Sequence, residues 1–339
     1  MQGARLQIGW LPVSRSAAGW ALLLALAAPP AAQGQETVAQ ETSHPISPAS
    51  PPTAARTADL DYDVYVGGLH VFSFAIAMTV GPDSYRVTAD GGTRGAVAWF
   101  SSWGVKLDAA GSAAAGRLAP ARYVVETDWK NDPKRLQLDF IGDGRYALSQ
   151  QPAPDPGVPP DPDIEGTLPA TLPEGAVDPL SFAVGAAQAL QRTGRCDQTV
   201  PVFDGQRRYD VIVRDGGTAE LAPNAYSMFA GAATRCTLAI TRISGFRKST
   251  RLSPEEEAKA LPPTVYMAVL QSGLAPVPVR FEGEIKLGRM VVHLAAARLG
   301  TTPLTAATST ETTTETTTGT TTGTTTGTTT GTGEAAAPN

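Results

Sequence analysis

Residues 60–80 read LDYDVYVGGLHVFSFAIAMTV. Leu60, Tyr62, Val64 and Val66 recur at every second position, and Gly67–Gly68 then supply a turn. After the turn Phe72, Phe74, Ile76, Met78 and Val80 fall on one face, while Ser73, Ala75, Ala77 and Thr79 occupy the other. Period two on both sides of a glycine pair predicts an antiparallel hairpin with one strongly apolar face. That face must be buried against something, and the rest of the chain has to provide the cover.

The segments downstream repeat the pattern. RYVVETDWK (122–130), RLQLDFIG (135–142) and RYALSQ (145–150) read as strands, the last two joined around Gly142–Asp143–Gly144. PAPDPGVPPDPD (152–163) is too proline-rich for a sheet ladder and predicts a long surface loop. One helix is clear: Asp178 caps it, Pro179 opens it, Leu180, Val184, Ala187 and Leu190 mark one face, and Gly194 closes it. In VPVFDGQRRYDVIV (200–213), Asp204–Gly205 signals a turn, and Tyr209, Val211 and Val213 then alternate with Arg208, Asp210 and Ile212. DGG at 215–217 predicts the next turn, with TAEL pairing back; GGTRG at 91–95 also reads as a turn. SPEEEAKA from Ser253 carries a capping box for a second short helix. TVYMAVL (264–270), PVPVRFEGEI (276–285) and RMVVHLAA (289–296) complete about ten strands. Strand following strand implies antiparallel pairing, and a sheet this long curls. The expected fold is mainly β: a strongly curved antiparallel sheet or incomplete β-barrel, with one or two short helices and the 179–192 helix on the concave side.

The two ends of the chain are of different composition. Arg5 and Arg15 precede the apolar stretch Ala17–Ala28, with small residues at Ala32 and Gly34. Twelve helical residues span about 18 Å, too short for a bilayer, so residues 1–34 predict a secretory signal peptide and an exported mature chain without a transmembrane segment. Residues 35–58 are rich in Pro, Ser, Thr and Ala and predict a disordered linker; residues 301–339 form a low-complexity Thr/Gly tail with no apolar face to bury. The domain is expected over 59–300. Export places the only two cysteines, Cys196 and Cys236, in an oxidising compartment, which predicts a disulfide between them.

Chemistry is sparse. The net charge of −5 gives no footprint for nucleic acid. The three histidines, His44, His70 and His293, form no HxH or HExxH pattern, and no CxxC, P-loop or GxSxG occurs. Convergence of His70 and His293 with a carboxylate is the one metal arrangement left open. Asp61 and Asp63 read as the solvated face of a strand. No cofactor and no catalytic or metal residue is predicted. Arg208 and Asp210 share a face, read as a cross-strand ion network or the polar rim of a cleft. Phe72, Phe74, Ile76 and Met78 are the candidate ligand cleft; the competing arrangement has Trp99, Phe100 and Trp103 filling that space as closed core.

The order of segments resembles the domain-of-unknown-function family 3108 of exported Gram-negative proteins. The similarity is carried by YDVYVGGLHVFSFAIAMTV (62–80), GRLAPARYVVET (116–127), VDPLSFAV (177–184), CDQTVPVFDGQRRYDVIV (196–213), CTLAITRISGF (236–246) and PVPVRFEGEIKLGRMVVHL (276–294). The resemblance implies a periplasmic, mostly antiparallel β fold and carries no activity with it. The expected function is a non-catalytic envelope module binding an apolar small molecule or an envelope partner. The alternative is a hydrolase of unfamiliar type acting on envelope polymers.

Overall fold

The computed structural model describes residues 56–114, 117–153, 161–248, 261–285, 287–300 and 302–304. The signal peptide, residues 35–55 of the predicted linker, the capping-box helix from Ser253, most of the 152–163 loop and residues 305–339 of the tail lie outside the described residues, whereas residues 56–58, read as linker, open the first strand and Thr302–Pro303, read as tail, form the last. Among those described are fourteen strands in one antiparallel sheet and two helices. That is the mainly β, unclosed architecture expected, with more strands than the sequence pattern revealed.

The strands are β1 (Arg56–Val66), β2 (Leu69–Val80), β3 (Ser84–Thr93), β4 (Trp103–Ala114), β5 (Arg117–Trp129), β6 (Asp132–Gly142) and β7 (Arg145–Gln151), followed by β8 (Gln198–Phe203), β9 (Arg208–Leu221), β10 (Gly231–Ser244), β11 (Thr264–Ala268), β12 (Val277–Ile285), β13 (Gly288–Leu299) and β14 (Thr302–Pro303). Helix α1 (Gly95–Phe100) joins β3 to β4, and α2 (Pro179–Thr193) precedes β8. Two meanders, β1 to β7 and β8 to β13, meet where β1 pairs with β13, so β7 and β8 are the two ends of the sheet path.

Those two ends curl toward each other. Phe203 of β8 packs edge-on against Tyr146 of β7 at 4.9 Å between ring centroids. The gap is bridged by the chain between them. Val177 pairs in parallel with Val202, Leu172 donates its N–H to the Gly144 carbonyl, and α2 packs on β8, β4 and β5. The predicted cap is present: Asp178 accepts from the N–H groups of Leu180 and Ser181 at 3.0 and 2.9 Å, and Gly194 ends the helix at φ 70°. The incomplete barrel is thus bridged by side chains, one helix and a few backbone hydrogen bonds of the 172–177 segment instead of by direct pairing of β7 with β8.

Three sequence readings need correction. GGTRG is not a free turn: Gly91 and Gly92 belong to β3, and only Gly95, at φ 58°, turns the chain into α1. A side chain at Gly91 would collide with Phe74 and Phe72, since a Cβ there would stand 2.7 Å from the Phe74 Cβ. The glycine therefore makes room for the aromatic face of β2. DGG at 215–217 is likewise not a hairpin turn. β9 runs through it to Leu221, and Gly216–Gly217 form a bulge between the pairs Cys236↔Asp215 and Thr234↔Thr218. Finally, Trp99 and Phe100 do not fill the interior; they are 88% and 80% exposed on α1.

Candidate functional site

β2 contributes the aromatic face that the opening stretch predicted, and the fold turns it inward. Phe74 stacks on Tyr62 of β1 at 4.9 Å, and Phe72 packs on Trp103 of β4 at 5.1 Å. Ile76 and Met78 continue the wall, touching both the cluster built around Tyr85, Leu107 and Leu138 and the one around Leu60, Val279 and Leu294. The structure brings all four candidate cleft residues together on one surface. They are nevertheless only partly buried, although they stand on interior strands. Leu60, Leu107 and Leu138, which face the same space, are buried at 1%, 2% and 0% exposure.

The helix covers this interior unevenly. Leu180 and Val184 of α2 pack into the cluster of β3–β6, and Leu190 into that of β8–β10. None of its side chains joins the cluster around Leu60, Tyr62 and Leu294. The wall also holds one orphan donor: the Trp103 indole N–H is buried without a hydrogen-bond partner among the described residues.

The closed side contains polar groups that the sequence did not single out. Ser181 Oγ donates to Asp178 and lies 2.6 Å from the Tyr85 hydroxyl, making a buried chain from helix cap to β3. Burial pushes the Asp178 carboxyl up to about 6 against the pull of its hydrogen bonds. At the β8–β9 turn the Asp204 carboxylate accepts from the Gln206 and Arg207 N–H groups and pairs with the Arg207 guanidinium at 2.9 Å. The helix-start signature predicts Asp178; nothing local predicts that Tyr85 should meet Ser181. Cys196, which follows α2, and Cys236 of β10 form the expected disulfide, with Cα atoms 5.8 Å apart.

Arg208 and Asp210 form an ion pair at 2.7 Å, and Arg208 also donates to the Tyr209 carbonyl. They lie on the face of β9 opposite Tyr209, and β9 stands six strands from β2 along the sheet. The structure does not gather them with the β2 wall.

On the far face of β1 and β2 a second group assembles. Ser73 Oγ donates to Asp63 Oδ1 at 2.7 Å, so Asp63 is not simply solvated. His70 Nε2 lies 2.9 Å from Ser73 Oγ and 3.2 Å from Asp63 Oδ1. One imidazole nitrogen therefore faces both partners. In a serine–histidine–acid relay the serine and the carboxylate engage opposite ring nitrogens, and here the serine proton goes to the carboxylate instead. His293 stands opposite Asp63 across the β1–β13 pair and is 6% exposed; burial and the nearby Arg280 hold its pKa below the usual imidazole value. Tyr65 stacks on His70 at 5.0 Å and meets His293 at 5.9 Å, so an aromatic ring stands between the two histidines. Among the described residues no three His, Cys, Asp or Glu side chains converge to hold a metal ion, and no helix is long and apolar enough to cross a membrane.

Comparison with known proteins agrees on family and is silent on activity. A family model described as "Protein of unknown function (DUF3108)" matches residues 61–295. No curated protein matches. Among solved structures, a beta-barrel-like protein of domain of unknown function DUF1849 from Brucella abortus is similar. It has 11% identity and a TM-score of 0.40, covering 72% of this chain and 98% of that one.

Proposed function

We propose a reading that starts from one plain fact: the chain belongs to the DUF3108 family. On this reading the domain is a non-catalytic binding module of the periplasm, and its half-open interior takes an apolar ligand of acyl-chain type. The observation that carries it is the β2 wall. Phe72, Phe74, Ile76 and Met78 face inward beside fully buried leucines yet stay partly exposed. An apolar concave surface with one unpaired donor, the Trp103 indole, is the composition of a site for a ligand with a long apolar body and a single polar end. The test is titration of the mature protein with a fluorescent fatty acid. Saturable binding that Phe74→Asp removes, with the circular dichroism spectrum unchanged, supports the site. Absence of binding at any accessible concentration turns the reading toward an envelope partner.

The hydrolase alternative rests on the contact of Asp63, Ser73 and His70, whose geometry lacks the relay described above. Residence in the periplasm rests on the charged, apolar and small-residue order of positions 5–34. N-terminal sequencing of protein from the periplasmic fraction tests it: a start near Gln35 supports export, and an intact Met1 in the cytosol contradicts it.

A further inference from the structure

Four large apolar side chains stand in water in three consecutive connections at one end of the sheet. They are Trp99 and Phe100 of α1, Leu69 after the β1–β2 turn and Leu287 in the β12–β13 turn, at 88%, 80%, 52% and 81% exposure. The backbone binds these connections to one another. Arg94, which enters α1, donates its N–H to the Val71 carbonyl, two residues from Leu69. Gly67 in the β1–β2 turn donates to the Arg289 carbonyl beside Leu287. On the other flank Lys130 of the β5–β6 turn donates to the Ser102 carbonyl, just past the end of α1. The apolar tips are therefore neighbours on one rim.

α1 reads GAVAWF, contains no charged or polar side chain and buries none of its residues. It has no role in the core that would explain its composition. Soluble proteins seldom present such a group of apolar tips to water unless something covers them. The charges beside it indicate what. The exposed side chains of Arg94 and Lys130 have no carboxylate within ion-pair distance among the described residues, whereas Asp132 is held by Lys134 and Arg289 by Glu282. Aromatic and aliphatic tips with unpaired cations beside them match the headgroup region of an anionic bilayer. There Trp and Phe enter the acyl boundary and Arg and Lys meet phosphate.

We propose that this rim docks the domain on the surface of an anionic phospholipid bilayer, with α1 as the inserted tip. The inference goes beyond the interior site and does not depend on it: a closed interior would leave the rim as it is.

The experiment is flotation of the mature full-length protein with vesicles of phosphatidylethanolamine and phosphatidylglycerol, and with phosphatidylcholine vesicles for comparison. The wild type is expected to float with the anionic vesicles and to be released as salt rises. Trp99→Ser/Phe100→Ser should lower partitioning at least tenfold with the fold intact, since neither side chain is buried. Arg94→Gln/Lys130→Gln should lower it by roughly tenfold or more on anionic vesicles only, since each cation near such a surface contributes about fivefold. The proposal is overturned if the wild type stays with the protein fraction at low salt, or if the serine variant floats as well as the wild type. It is also overturned if the rim proves to join two copies, seen as a concentration-dependent dimer in light scattering that the serine variant abolishes. Phe74→Asp should float as the wild type does, and its loss of flotation with the fold intact would also overturn the proposal.

Discussion

The closure between β7 and β8 and the wall of β2 are built from similar residues and packed to different degrees. At the closure Phe203 and Val202 are fully buried, Tyr146 covers Phe203, and the Asp178–Ser181–Tyr85 chain satisfies the polar groups at the start of α2. At the wall Phe72 and Phe74 are as apolar as Phe203 but keep part of their surface accessible. One contribution to the difference is where the one long helix sits. α2 supplies Leu180, Val184 and Leu190 to the clusters on the closed side and nothing to the cluster around Tyr62 and Leu294. Side chains of equal hydrophobicity are thus buried to different degrees, and the helix is only one part of the cover, since Leu60, Val279 and Leu294 are buried without it.

The comparison can be broken by truncating each side. Phe203→Ala removes a ring from a site with no exposure and should destabilise by about 3–5 kcal/mol in urea unfolding, lost transfer and cavity together. The disulfide belongs to the closed side as well, tying the end of α2 to β10 across a separation of 40 residues. Cys196→Ser/Cys236→Ser should lower stability by about 4 kcal/mol in the chain-entropy account, and thiol titration of the unfolded, unreduced wild type should find no free thiol.

The buried cap gives a pH dependence with a definite sign. Asp178 has a folded pKa of about 6, above its unfolded value of 3.8. Between these values the folded state holds more protons, so this group's contribution to stability is largest below about 4 and declines as pH rises through 6. The decline is at most about 3 kcal/mol, and Asp178→Asn, which can still cap, should flatten the curve between pH 4 and 7. His293 acts in the opposite direction: its pKa is depressed on folding, so acidification through the imidazole range costs stability. His293→Gln in the Asp178→Asn background should remove the remaining slope near pH 6. Smallest is the wall itself. Phe74→Ala should cost only about 1–2 kcal/mol, well below Phe203→Ala, because its ring gives up less buried area. Equal costs would mean that the wall is packed as tightly as the closure.

The strand faces of β1, β2, β5, β6 and β9 were legible because their apolar residues recur at period two, whereas β13 carries a bulge opposite Asp61–Tyr62. β3 and β4 were not: SYRVTADGGT and WGVKLDAAGSAA replace bulky residues by Gly and Ala, and their pairing is imposed by neighbours on both sides. The run through Gly216–Gly217 was misread because a glycine pair signals a turn and a bulge equally well, and only the partner β10 selects the bulge. The cleft residues were legible as a face, but their partial exposure was not, since it depends on which distant segments pack against that face. Trp99 and Phe100 looked like core by composition, and only the short exposed connection that carries them shows otherwise.

Native mass spectrometry of the protein purified from the periplasm without delipidation tests the open wall most directly. The account predicts a species heavier than the polypeptide by the mass of one acyl-chain lipid, lost in Phe74→Asp while Asp178→Asn retains it. A bare polypeptide mass in the wild type, with Phe74→Ala as destabilising as Phe203→Ala, would contradict it.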